Sequence, residues 1–142
     1  NNMVATISKE QRSATMAKVH SKNTKPEILV RSLLFRRGYR FRICQPCLPG
    51  KPDIVLKKYK SVIFVHGCFW HGHDNCKNAR IPKSNVEFWT NKIKRNKERF
   101  AEVKRQLELE GWKVIVIWEC ELTKGKIEKT IQDLVSQIQA RN

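Results

Sequence analysis

Residues 62–76 read V-I-F-V-H-G-C-F-W-H-G-H-D-N-C, and this stretch organises the chain. Val62 to Val65 form an apolar, strand-like run that breaks at Gly67. The loop that follows concentrates chemistry. Residues 66–76 hold three of the four histidines and two of the five cysteines, and Phe69 and Trp70 sit among them. A strand that ends in a glycine and a polar loop is how a rigid scaffold presents functional groups at a sheet edge. Two large aromatics on such a loop need more than burial to hold them in place, and a bound metal would do it.

The 142 residues fit one domain of ordinary size, and 40% apolar content is enough to form a core rather than a disordered chain. No run reaches the length of a membrane span and nothing resembles a signal peptide, so a soluble, intracellular chain is expected. Lys and Arg number 29 against 13 acids, a formal charge of +16. An excess of that size points to a polyanionic partner, nucleic acid first, bound with steep salt dependence. An odd number of cysteines in such a chain suits thiol ligands better than a disulfide framework.

The elements follow from periodicity and punctuation. Residues 8–20 are a polar, weakly helical stretch in which Met16 is the one large apolar residue, a core contact or part of a DNA-contacting arm. Thr24-Lys25-Pro26-Glu27 has the pattern of a capping box, opening a helix that buries Ile28, Leu29, Leu33, Leu34 and Phe35 and stops at Gly38. Tyr39, Phe41 and Ile43 alternate with arginines as a half-buried strand does. A turn at 48–52 leads to strands at 53–56 and 61–66. Ser84 to Glu87 is a second capping box, for a helix to about Glu110 with Phe88, Ile93, Phe100, Val103 and Leu107 on its apolar stripe. Residues 112–118 form a buried strand and a last helix starts near Lys126. The expected architecture is α/β, with a mixed central sheet flanked by helices.

Three constellations carry chemistry. Cys68, His73 and Cys76 are three donors within nine residues, suited to zinc, with the fourth ligand open among Cys120, Cys44, Cys47 and His71. Asp53, His66 and His71 can converge at a sheet edge, where a carboxylate suits Mg2+ and a histidine can move a proton. Phe69, Trp70 and Trp89 are aromatics in polar surroundings on a basic chain, candidates to stack on bases or wedge between them.

The strings L-P-G-K-P-D at 48–53, V-I-F-V-H-G-C-F-W-H at 62–71, E-F-W at 87–89 and W-E-C at 118–120 resemble the very-short-patch repair (Vsr) mismatch endonucleases, over most of the chain from R-S-A-T-M at 12–16 to Cys120. The resemblance implies a restriction-endonuclease-like fold with a structural zinc site, an arm over 1–22 and an endonuclease domain over 23–142. It implies a Mg2+-dependent nick on the 5′ side of the thymine in a T:G mismatch left by deamination of 5-methylcytosine. Asp53 would be the principal Mg2+ ligand, with His66, His71 and Glu27 in the active site. Val65 stands where the family commonly has threonine and would offer its backbone carbonyl to the metal. Zinc would fall to Cys68, His73, Cys76 and Cys120, although the family has one residue fewer between His73 and Cys76. Phe69, Trp70 and Trp89 would form a wedge from the major groove, and Met16 would enter the minor groove. The implied partner is double-stranded DNA carrying a T:G mismatch, cut by a monomer in the prokaryotic cytoplasm at the nucleoid, with mismatch-repair proteins as candidate partners and no membrane. The rival readings are a sequence-specific restriction-type nuclease and a zinc-stabilised DNA-binding module without catalysis.

Overall fold

The structure, a computed structural model, describes residues 25–43 and 48–140. The helix expected over 8–20, the arm over 1–22, Met16, Thr24, Cys44 and Cys47 lie outside the described residues. In chain order the elements are α1 (Lys25–Arg36), β1 (Ile54–Leu56), β2 (Ser61–His66), α2 (Val86–Leu109), β3 (Lys113–Trp118) and α3 (Ile127–Gln139). Short 3-10 turns occupy Lys57–Tyr59, Lys77–Ala79 and Glu119–Leu122. This is a small α/β fold on a three-stranded mixed sheet. The order is β1-β2-β3, with β1 antiparallel and β3 parallel to β2. Parallel neighbours need a crossover, and α2 supplies it. No helix among the described residues is long and apolar enough to cross a membrane.

Strand alternation sends side chains to two faces, and each face has its own core. Ile54, Leu56, Ile63, Ile115 and Ile117 pack with Val30 and Leu34 of α1 and Ile131, Leu134 and Ile138 of α3. Val55, Val62 and Phe64 face the other way, toward Phe100, Val103 and Leu107 of α2. Asp53 and His66 continue the α2-facing series, two residues from Val55 and Phe64. The sheet parity alone therefore puts both on one face.

Several expectations change. The buried face of α1 is Glu27, Val30 and Leu34, whereas Ile28, Leu29 and Phe35 are exposed. A helix buries one stripe, and positions 27, 30 and 34 define it; 28 and 35 fall outside. Phe35 instead lies under the guanidinium of Arg40, 4.2 Å from its ring centre. Phe88 is likewise exposed, because it sits five residues before Ile93, about 140° around the helix from the 93–100–107 stripe. The strand expected over 39–43 reduces to one bridge, in which Arg42 and Val55 exchange both backbone hydrogen bonds. The second capping box does not form: Asn85 is the N-cap in a left-handed conformation (φ 56°) and makes no side-chain cap. β3 is only half-buried outside Ile115 and Ile117, as suits the third and last strand of the sheet.

The turn that delivers Asp53 depends on Gly50. Its φ is +72°, and an added Cβ would lie 2.5 Å from Cγ1 of Val103 on α2. Gly50→Ala is expected to cost about 2–4 kcal/mol in urea unfolding, the sum of left-handed strain and overpacking. In a Val103→Ala background the increment should fall to about 1–2 kcal/mol, the strain alone. A double-mutant cycle reads the difference.

Candidate active site and metal centre

The site is built where β1 stops and β2 continues. β1 starts at Ile54, paired with Ile63, so Val65 extends beyond the end of that ladder. Asp53 fills the gap with its side chain: Oδ2 accepts the N–H of Val65 at 2.6 Å, while its own N–H donates to the carbonyl of Ile63. Within a strand the N–H and C=O of one residue point to the same side. The Val65 carbonyl therefore lies on the edge that carries the Asp53 carboxylate. Two oxygen donors on one edge fit a hard cation such as Mg2+, and the carbonyl is available whatever side chain position 65 carries.

His66 closes β2, buried at 4% exposure. The chain then wraps in one tight turn, with the N–H groups of His71, Gly72 and His73 bonded back to the carbonyls of Gly67, Phe69 and Cys68. That turn lays the ring of His71 flat on His66, with centroids 3.7 Å apart and planes 3° from parallel. Phe100 and Trp118 meet the His66 ring edge-on. Burial, with the charge of His71 second, pulls the His66 imidazole down to about 3, and burial lowers His71 as well. Both rings are neutral at neutral pH. Nδ1 of each is buried without a hydrogen-bond partner among the described residues. Such atoms are costly unless a ligand or a transferring proton uses them. The pair lines a cavity of about 440 Å3, with His73, Lys97, Phe100 and Trp118 among its other walls.

The same turn assembles the second constellation. Ligand atoms of Cys68, His73, Cys76 and Cys120 all lie within 4.8 Å of one another, and Cys120 Sγ is 3.5 Å from His73 Nδ1. Zn–S bonds of about 2.3 Å in a tetrahedron separate sulfurs by about 3.8 Å, close to this spread. Burial pushes the Cys68 thiol up to about 12 and raises Cys120 too. Thiolates at such a site need a cation, so the cluster could hold a metal. Between His73 and Cys76 the backbone turns left-handed at Asn75 (φ 56°), and Cys76 falls within the cluster. Of the four candidates for the fourth ligand, Cys120 is the one the fold delivers here; His71 goes to His66, and Cys44 and Cys47 lie outside the described residues.

Between the two centres the turn displays its aromatics. Phe69 and Trp70 meet edge to face at 5.3 Å, and Trp89 from the first turn of α2 joins them at 5.4 and 5.9 Å. Trp70 is exposed, and Phe69 and Trp89 are half-buried. Glu27 is buried in the first turn of α1, where an acid is favoured by the helix N-terminus. Its expected capping partner, Thr24, is outside the described residues.

Some contributors carried no readable signal. Trp118 looked like a strand residue, yet its ring stacks on His73 at 4.0 Å and also borders His66. Glu119 accepts the N–H of Cys68 at 3.1 Å, and Asn96 donates to the carbonyl of Trp70 at 2.8 Å, pinning the turn at both ends. Glu119 lay within the W-E-C string, which carried the family resemblance but gave Glu119 no role of its own. Asn96 sat in a run of charged helical residues with nothing to mark it.

Known proteins are similar to this chain in sequence. A family model described as DNA mismatch endonuclease Vsr matches residues 5–78. A type II nicking enzyme of Neisseria meningitidis is 52% identical, over 90% of this chain and 91% of its own. One of Xanthomonas oryzae is 46% identical over 94% and 98%. The DNA mismatch endonuclease Vsr of Escherichia coli is 38% identical over 92% and 83%. The class these matches define is the DNA endonucleases. The chain belongs to the DNA mismatch endonuclease Vsr family.

Gly72 is the hinge of the shared turn. Its φ is +60°, and a Cβ there would lie 2.5 Å from Ile93 Cγ2 and 2.7 Å from Lys97 Cε. Gly72→Ala is expected to cost about 2–4 kcal/mol in urea unfolding. It should also reduce metal retained per chain, measured by elemental analysis, since His71 and His73 flank it.

Proposed function

We propose that this endonuclease nicks one strand of duplex DNA on the 5′ side of the thymine in a T:G mismatch, with Mg2+ at Asp53 and the Val65 carbonyl. The observation that carries the reading is the Asp53–Val65 hydrogen bond, which sets a carboxylate and a carbonyl on one edge, one residue before a buried histidine. Mg2+, when bound, polarises the phosphate and lowers the pKa of water. The chain's own residues do the rest. Asp53 and Val65 bind the cation, and α2 and Trp118 keep bulk water from His66. The neutral imidazoles of His66 and His71, which line the cavity, are placed to take a proton from water or, once charged, to return one to the leaving oxygen. Glu27 is the further active-site acid.

The fold is read as the restriction-endonuclease type, with an arm over 1–22 and a catalytic domain over 23–142. Zinc on Cys68, His73, Cys76 and Cys120 is structural, because four protein ligands leave no open position for water. Phe69, Trp70 and Trp89 wedge into the duplex and Met16 reaches the minor groove from the arm. A mismatched step is cheaper to unstack than a paired one, so a rigid wedge turns that weakness into selectivity. The relatives named nicking enzymes support cutting of one strand, and the E. coli relative supports the mismatch. The enzyme acts as a monomer in the bacterial cytoplasm and hands its product to repair proteins.

Strand-labelled duplexes with Mg2+ are expected to be nicked in the T strand of a T:G pair and left intact when T faces A; equal cutting of both would overturn the mismatch reading. Asp53→Asn should bind the mismatched duplex with unchanged affinity and nick it about 10³-fold or more slowly.

For zinc, elemental analysis should find about one atom per chain. Cys68→Ser should lose the metal and several kcal/mol of stability, and a metal-free variant as stable as its parent would remove the structural role.

A further inference from the structure

Phe88 lies in the first turn of α2 with 56% of its surface exposed, more than Trp70 at 39%. A single exposed apolar side chain is ordinary, but a contiguous apolar patch on a soluble surface marks a contact. Phe88 is part of such a patch. Its ring meets Trp89 edge to face at 5.0 Å, and Trp89 in turn meets Phe69 and Trp70. Val86, two residues earlier, is 48% exposed. The four aromatics thus form one continuous row with Trp89 at its centre and Phe88 at its outer end.

The surroundings fit a polyanion. Lys92 and Arg95 stand four and seven positions after Phe88, on the same side of α2, so cationic side chains of the kind that meet phosphates continue the line of its ring. Glu87 is the acid beside it, about 100° around the helix from that line. Phe88 does not serve the core of α2, whose stripe is on the opposite side. We propose that Phe88 is a fourth DNA-contacting aromatic, packing its ring on the bases beside the step that Phe69, Trp70 and Trp89 open. This rests on the mismatch-nicking reading and extends it by a residue that sets how much of the flanking duplex is held.

The test uses the full chain with Asp53→Asn, so that the duplex is bound and not cut. The probe is a duplex with 2-aminopurine beside a T:G pair, whose fluorescence rises when the base is unstacked. Phe88→Ala and Phe88→Leu are expected to weaken binding about 10-fold and to reduce the rise, with urea midpoints unchanged. Phe88→Trp, which keeps an aromatic face, should bind at least as tightly as the parent. Binding by Phe88→Leu as tight as the parent would overturn the proposal. So would a Phe88→Ala variant that loses stability while Phe88→Leu restores stability and affinity together, since the ring would then be packing rather than stacking. The parent's affinity ratio for T:G over T:A duplexes reports separately on the mismatch reading. A ratio near one with Phe88→Leu still weakened would overturn that reading and leave the contact at Phe88 standing.

Discussion

The carboxylate of Asp53 does the work of a strand. β2 runs beyond its pairing with β1, and a backbone N–H left at that edge would be costly in a half-buried setting. Asp53 accepts it at 2.6 Å, and in doing so its side chain is held against the Val65 backbone rather than free to rotate. Everything chemical in the molecule is referenced to that edge. The two-residue alternation that carries Val55 and Phe64 into the α2-facing core also carries Asp53 and His66 to the same face. Core packing and site geometry are therefore one constraint, and a register slip by one residue would destroy both.

The turn after β2 shows how little chain is needed once the strand is anchored. Between His66 and Cys76 it stacks one histidine on another, displays two aromatics and collects three of four candidate metal ligands. Cys120 supplies the fourth donor from the end of β3, the parallel neighbour of β2. The cluster thereby ties the turn to the far strand, as Glu119 does through Cys68 and Trp118 through its stack on His73. These ties stiffen the turn that displays Phe69 and Trp70, which is what the wedge proposed for them would require.

Much of this was legible before any coordinates. The long helix, the last helix and the strands at 61–66 and 113–118 carry strong 3.6- or 2-residue periodicity and end at glycines or polar breaks. Errors fell where one residue's direction decided the matter. Phe88 and Phe35 are apolar and helical, but their angular positions lie off the buried stripe. Asn85 sits in a sequence suited to a capping box, yet it takes a left-handed backbone instead. The short strand at 39–43 alternates correctly but meets its neighbour at one residue only.

By itself the sequence determined the class of fold, the basic surface and the pool of groups able to bind metal, cut or stack, because those depend on residue type and local period. Its string H-G-C-F-W-H also carried the family, since so specific a run of residues rarely agrees by chance. Residue type and spacing left open which of them meet; the family resemblance implied the set, and tertiary structure brings it together. Cys120 joins Cys68, His73 and Cys76 across the 43 residues that separate it from Cys76, and His71 leaves that set for His66. The reason is physical. Periodicity says which way a side chain points from its own element, while partners across the fold are chosen by strand register and by how close two backbones can come, as Gly72 permits against α2.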